Sequence, residues 1–405
     1  MSEVAVAYNP FDPDFTADPY VQYRALRAAD PVHQSPFGIW LLFRYEDVLR
    51  FLRDPSLSVE DRNAHPTPLR ELTEAVQGEE STRGDHAMLN RDPPDHTRLR
   101  RLVSKAFTPR VVEGLRPRIQ EFVDEALDRA EKEGGLEAIG DFAFPLPFTV
   151  ISELLGMPDT DTERLRELSG LVVRSLEPVV DPDLLRAIAD AGASMREMVG
   201  EAIAWKRRNP SDDMLSALIA AEEHGDVLSD EELTEQVALL YIAGHETTVN
   251  LIGNGLLALL THEDQLARLR TEPALVANAV DELLRYDSPV QMSRRITLEE
   301  VEVGGKRIEP GAFVVLVLAS ANRDEERWGG TAEQLDLARD GAHAHVSFGG
   351  GSHYCLGAAL ARLEAQVALG TIVDRFPAMR LDGTPEWNGR INLRGLECLP
   401  VSVGS

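Results

Sequence analysis

The sequence predicts a single large domain of mainly helical, α+β class, and three observations carry that expectation. Apolar residues recur with a period near 3.6 over most of the chain, only a few short segments have strand character, and no Pro/Ser/Gly-rich linker or internal repeat divides the 405 residues.

Taken in order, the helical spacing covers Pro19–Ala29, Thr97–Phe107, Val111–Glu131, Asp161–Val173, Asp183–Arg207, Asp213–Glu222, Ser229–Leu260 and Glu272–Tyr286, with a late helix expected over Ala358–Gly370. Gly38–Phe43 reads as extended, Val301–Lys306 and Ala312–Leu318 flank a Pro310-Gly311 turn, and Gly395–Val403 is β-like. Arg62–Asp85 is polar and Pro-containing, which predicts a long loop with a short helix, of the kind that serves as a lid or binding loop.

Composition bounds the function. A hydrophobic content of 43% and a charged content of 27% describe a chain that can bury a large core. A formal net charge of -27 argues against nucleic-acid binding, which needs clustered Lys and Arg. The two cysteines, Cys355 and Cys398, and a Met1–Pro10 start without basic or apolar character argue against a disulfide-stapled secreted protein. No apolar run reaches the roughly 20 residues that span a bilayer, so a cytoplasmic protein without a membrane partner is expected.

One stretch reverses the acidity. Between His96 and Arg118 stand Arg98, Arg100, Arg101, Lys105, Arg110, Arg116 and Arg118 against Glu113 alone, which read by itself is a solvated helix face.

The helix opening at Ser229-Asp230-Glu231-Glu232, a Ser cap with acids in the first turn, is apolar nearly all round from Val237 to Leu260 and should thread the domain. Its middle, Ala243-Gly244-His245-Glu246-Thr247-Thr248-Val249-Asn250, is polar. A helix-interior Gly costs about 1 kcal/mol against Ala, and each buried unpaired polar group about 1–3 kcal/mol. Two readings compete. Thr247 and Thr248 could bond back to the preceding turn with Glu246 paired to a base. Alternatively, the helix opens beside a cofactor, with Gly244 leaving room for a diatomic ligand and the Glu246–Thr247 acid and alcohol moving protons.

The strongest local signal is Phe348-Gly349-Gly350-Gly351-Ser352-His353-Tyr354-Cys355-Leu356-Gly357, which runs into a helix. A cysteine at a helix start meets unpaired N–H groups that lower a thiol's pKa, and glycines let backbone lie against a flat cofactor. An inert cysteine in a Gly-rich turn, or a zinc half-site with His353, are the other readings, although zinc needs more ligands and no CxxC is present. Cys398, in its β-like run, belongs to the core.

This segment resembles the haem-binding loop of the cytochrome P450 family, with Phe348, Gly349, Gly351, His353, Cys355 and Gly357 at the pattern positions. The resemblance extends in order along nearly the whole chain. It implies one haem-thiolate monooxygenase domain over residues 1–405, helical with small β-sheets, holding haem b (iron protoporphyrin IX) with Cys355 as the metal ligand. Ala243-Gly244-His245-Glu246-Thr247-Thr248 resembles the oxygen-binding kink, which implies cofactor contact at Ala243 and Gly244 and proton delivery by Glu246 and Thr247. Asp92 to Arg100 and Arg294-Arg295-Ile296-Thr297 resemble segments that grip the haem propionates, which implies His96, Arg100, Arg295 and His353 for that role, with Arg294 the competitor to Arg295.

Glu282-Leu283-Leu284-Arg285 resembles the ExxR helix, a structural ion-pair network. The match departs in two places: Glu325 stands where Pro is usual, and Gln334, in a Trp328–Arg339 stretch one residue longer than common, stands where the third network member, an Arg, is expected.

The resemblance implies oxygen insertion into a medium-sized, largely apolar small molecule. The chain contains no flavin or iron–sulfur segment, so electrons would come from a separate ferredoxin and ferredoxin reductase, and the basic stretch becomes a docking face. A peroxide-driven peroxygenase or decarboxylase would not need the Glu246–Thr247 pair. A non-turnover haem-thiolate sensor or silent binding protein would tolerate its loss.

Overall fold

The computed structural model describes residues 7–78, 86–105, 107–157, 162–223 and 226–404. Helices that place the site are α1 (Asp95–Ser104), α2 (Arg116–Glu133), α3 (Pro145–Leu155), α4 (Pro182–Arg208), α5 (Asp230–Thr261), α6 (Val276–Tyr286) and α7 (Ala358–Arg375). Residues 79–85 of the expected loop, Ala106 and Asp161 lie outside the described residues.

Helix α5 starts as the sequence predicts. The Ser229 hydroxyl accepts from the Glu232 N–H and the Glu232 carboxylate accepts from the Ser229 N–H, a complete capping box. Its 32 residues run through the core, with Val237, Tyr241, Val249, Ile252 and Leu256 buried on several sides, and α3, α4, α6 and α7 pack around it.

The expected Val111–Glu131 helix is two, Pro109–Gly114 and α2, because Pro117 carries no N–H and starts a new helix. Helix α3 was not anticipated, its Pro145-Leu-Pro-Phe start reading as loop, yet proline is tolerated in a first turn and Leu146, Phe148, Ile151 and Leu155 are buried. The Tyr45–Arg53 helix was missed for its shortness. Among the described residues one window, Ala138–Leu155, interrupted by Asp141 and Glu153, is apolar enough over 18 residues to pass as a membrane span by composition, but 61% of it is buried within the fold.

The larger sheet contains β1 (Val32–Gln34), β2 (Trp40–Leu42), β3 (Leu57–Ser58), β4 (Met292–Thr297) and β5 (Phe313–Val317), in the order β1-β2-β5-β4-β3. The two segments that flank the Pro310-Gly311 turn do not pair with each other. Val301–Val303 instead turns back on Lys306–Ile308, and β5 pairs antiparallel with β4, a strand the sequence had not signalled. Smaller sheets join Gly135–Glu137 and Arg380–Leu381 to Pro400–Ser402, and Glu386–Trp387 to Leu396–Cys398.

Candidate functional site

The cysteine loop is fixed by its own backbone and by a neighbouring helix. The Cys355 N–H donates to the Phe348 carbonyl at 2.9 Å, closing the loop on itself. Gly351 has φ +66°, and a Cβ there would lie 2.5 Å from the Leu52 carbonyl, so both its conformation and its approach to the Tyr45–Arg53 helix require glycine. Arg362 of α7 lies over the Phe348 ring at 4.6 Å and donates to Asp281 of α6 at 2.7 Å, tying the loop to the helix beneath.

Cys355 keeps exposed surface although protein atoms crowd around its thiol. The helix-start effect expected from the sequence is present, since the Gly357 and Ala358 N–H groups and the Arg100 and Arg362 charges favour thiolate, but burial outweighs them and pushes the free thiol's pKa up. Coordination to a metal cation reverses that balance, because the cation's charge deprotonates a thiol outright.

Four groups from three parts of the chain converge beside the loop. The His96 ring on α1 lies 4.1 Å from that of His353. Arg100, one turn further, donates to the Tyr354 carbonyl at 2.6 Å and acts electrostatically on Cys355. Arg295, on β4, bears on His353 through its charge and donates only to the Arg294 and Leu52 carbonyls. Alternation along the strand separates the two arginines: Arg295 is buried, whereas Arg294 turns to Asp61 and Asn90.

None of His96, Arg100, Arg295 and His353 bonds a carboxylate among the described residues, and His96 Nδ1 is buried without a partner. Burial and the neighbouring cations push the His353 pKa down to about 3, and burial pulls Arg295 down to about 10. The two histidines are thereby neutral, and the charges of Arg100 and Arg295, which have no carboxylate partner among the described residues, are costly to bury unless an anion joins them. The two carboxylates of a haem fit that requirement, so the residues present fit the group. His353 faces His96 rather than joining Cys355 in a shared ligand set, and among the described residues no group of three His, Cys, Asp or Glu converges on a metal position.

The polar centre of α5 stays helical throughout and does not open. Thr247 Oγ1 donates to the Ala243 carbonyl at 3.2 Å and Thr248 Oγ1 to that of Gly244 at 3.5 Å, the back-bonding alternative. The room attributed to Gly244 serves packing: a Cβ there would meet Ile151 of α3 at 3.1 Å. Leu239, Ala243 and Thr247, each one turn apart, nonetheless keep accessible surface in a helix otherwise mostly buried, and Ala243 is the most open. Glu246 and Thr247 do not touch; Glu246 pairs with Arg390, a residue the sequence reading did not single out.

The third network member is Arg339, not Gln334. Arg339 Nε donates to both Glu282 oxygens, at 3.0 and 3.1 Å, and Gln334 contributes only its carbonyl, which accepts from Arg285 and Arg339. The longer Trp328–Arg339 stretch displaces the arginine along the sequence without removing it from the network. Glu325 takes the first helical position after the Asp324 cap, where an exposed acid suits a helix start as well as proline.

Comparison with known proteins agrees with this geometry. A family profile described as Cytochrome P450 matches residues 181–389. The chain is 44% identical to cytochrome P450 107B1 of Saccharopolyspora erythraea, across 98% of this chain and 97% of that one. It is 42% identical to the cytochrome P450 monooxygenase PikC of Streptomyces venezuelae, across 96% and 92%. The crystal structure of the myxobacterial cytochrome P450 CYP267B1 in complex with myristic acid superposes with a TM-score of 0.89 at 37% identity, across 98% of each chain.

Proposed function

The chain belongs to the cytochrome P450 family of haem-dependent monooxygenases, and from that premise we propose that it inserts one oxygen atom into a medium-sized, largely apolar molecule using electrons from a separate ferredoxin and ferredoxin reductase. The observation that carries the reading is the gathering of His96, Arg100, Arg295 and His353 beside the Cys355 loop with no carboxylate partner among the described residues and the His96 Nδ1 buried without a partner, which suits a group that brings its own carboxylates.

When bound, the haem supplies the oxygen activation and oxygen-atom transfer. Cys355 gives the iron a thiolate ligand whose electron density favours O–O cleavage. His96, Arg100, Arg295 and His353 hold the carboxylates and set the group's orientation. Leu239 and Ala243 offer an apolar wall, and Thr247, one turn on, offers a hydroxyl on that wall. Glu246 is the nearest acid along the chain to that hydroxyl. Because consecutive helix residues do not face each other, a proton passing between them needs a water or a swing of the carboxylate.

For electron entry, Arg101, Lys105 and Arg110 are exposed on and after α1, the helix that also carries Arg100. A basic surface so near the cysteine loop suits an acidic ferredoxin, and the strongly acidic remainder would turn it away elsewhere.

The test is the reduced carbonyl adduct. The purified, haem-loaded protein is expected to give the red-shifted Soret band of thiolate-ligated iron and Cys355→Ser to lose it; an ordinary histidine-type band in the wild type overturns the reading. Thr247→Ala is expected to cut product per NADPH while NADPH consumption continues. Unaltered coupling there favours a peroxide-driven or non-turnover haem protein. Titration with fatty acids, steroids and macrolides, read as the spin-state shift, then assigns the substrate class.

A further inference from the structure

Glu246, the acid of the relay, is held by a residue whose neighbours are themselves held by a distant carboxylate. Its partner Arg390 comes from the turn before Leu396–Cys398, and both side chains are largely buried, at 13% and 14% exposure. The residues after Arg390 are gripped by one carboxylate. Glu177 accepts from the Ile391 and Asn392 N–H groups through Oε2 at 2.8 and 2.9 Å, and from the Leu393 N–H through Oε1 at 2.8 Å.

Glu177 lies in the short connection between the helical segment ending at Leu176 and α4. Asn392 Nδ2 adds a bond to the Leu176 carbonyl at 3.2 Å, so side chains from both partners close the same junction. On its other edge the turn is pinned to the large sheet: the Gln291 N–H donates to the Asn392 carbonyl at 2.8 Å, and the Met292 N–H to Asn392 Oδ1 at 3.0 Å.

We infer that Glu177 and Arg390 are positioning residues for the relay: Glu177 fixes the 391–393 turn, the turn fixes Arg390, and Arg390 fixes the Glu246 carboxylate. The chemistry supports each link. A carboxylate accepting three backbone N–H bonds is a strong, charge-assisted clamp on a turn whose amides otherwise have few partners. Arg390 extends from the residue next to that clamp, so freedom in the turn becomes freedom in the guanidinium. The charge-assisted contact from Arg390 Nη1 to Glu246 Oε1 in turn restricts the carboxylate. The connection carrying Glu177 thereby reports its docked position to the middle of α5. This rests on the relay reading of Glu246 and adds how the acid is held.

The holoprotein tests it in two independent ways. Hydrogen exchange at Ile391, Asn392 and Leu393 is expected to speed roughly tenfold in Glu177→Ala, as loss of a charge-assisted bond implies, with the Val237–Leu240 amides of α5 unchanged. Exchange in the turn equal to wild type overturns the clamp. Product per NADPH is expected to fall in Glu177→Ala and Arg390→Ala, to recover in Arg390→Lys, and to show no further loss when either alanine variant is added to Glu246→Gln. Additive losses, or no recovery with lysine, overturn the link to Glu246. Should Glu246→Gln itself couple like wild type, the relay reading fails and the link falls with it, while the exchange result still decides whether Glu177 holds the turn.

Discussion

Glu282 of α6 sits between two arginines, with Arg285 donating to its two oxygens at 2.7 and 2.9 Å and Arg339 to the same pair at 3.0 and 3.1 Å, and neither Glu282 nor Arg285 has any exposed surface. Arg285 also donates to the Asn322, Ala332 and Gln334 carbonyls, which ties α6 to the irregular segment leading into the cysteine loop. The trio is therefore a structural clasp, and its members are expected to differ in importance. Glu282→Ala leaves buried arginine charge uncompensated and should cost about 3–5 kcal/mol. Arg339→Ala leaves Glu282 with Arg285 and should cost about 1–3 kcal/mol. Denaturant unfolding of the holoprotein checks the order; an Arg339→Ala loss equal to that of Glu282→Ala contradicts it.

Arg295 and Arg294 are neighbours on one strand with opposite tasks. If Arg295 holds a haem carboxylate, Arg295→Ala should release haem to an acceptor globin about 10–100-fold faster, the equivalent of one charge-assisted bond. Arg294→Ala, which removes a pair with Asp61 instead, should leave the release rate within about twofold. Equal acceleration in both variants would show that the strand as a whole, not its inward arginine, retains the group.

The basic surface on α1 predicts a salt-sensitive rate. Arg101→Glu with Lys105→Glu should slow reduction by ferredoxin at low ionic strength by about tenfold or more, with the difference shrinking as salt screens the charges. Dithionite reduction of the same variant should match wild type. Reduction by ferredoxin at an unchanged rate in low salt rejects this docking face.

His345 predicts how stability depends on pH. Its side chain is 1% exposed, and burial pushes its pKa down although Asp281 lies 3.3 Å away. The native state thus stays neutral where the unfolded chain takes up a proton. Its contribution is fully present above about pH 6.5, the ordinary histidine value, and is lost as pH falls below that. His345→Asn should flatten the slope of unfolding free energy against pH between about 6.5 and 5. An unchanged slope would mean that other groups carry it.

The course of α5, the Cys355 loop at the start of α7 and the nearness of His96 and Arg100 to that loop were legible in the sequence because each rests on local rules: a capping box, a glycine-flanked cysteine at a helix start, His and Arg in short motifs. Other features were not. Helix α3, with two prolines in its first turn, and strand β4, with two arginines at its centre, carried no clear periodic signal, and only burial against the core and pairing with β5 make them regular.

By itself, then, the sequence determined the class of the fold and the family to which its short motifs belong, since periodicity and short motifs are written into neighbouring positions. Only the tertiary structure decided which distant groups complete them: Arg339 rather than Gln334 for Glu282, Arg390 for Glu246, Glu177 for the turn that carries Arg390. Those choices join residues tens to hundreds of positions apart. A charged side chain in a closed interior takes whichever partner the packing brings within bonding distance, and no spacing along the chain records that.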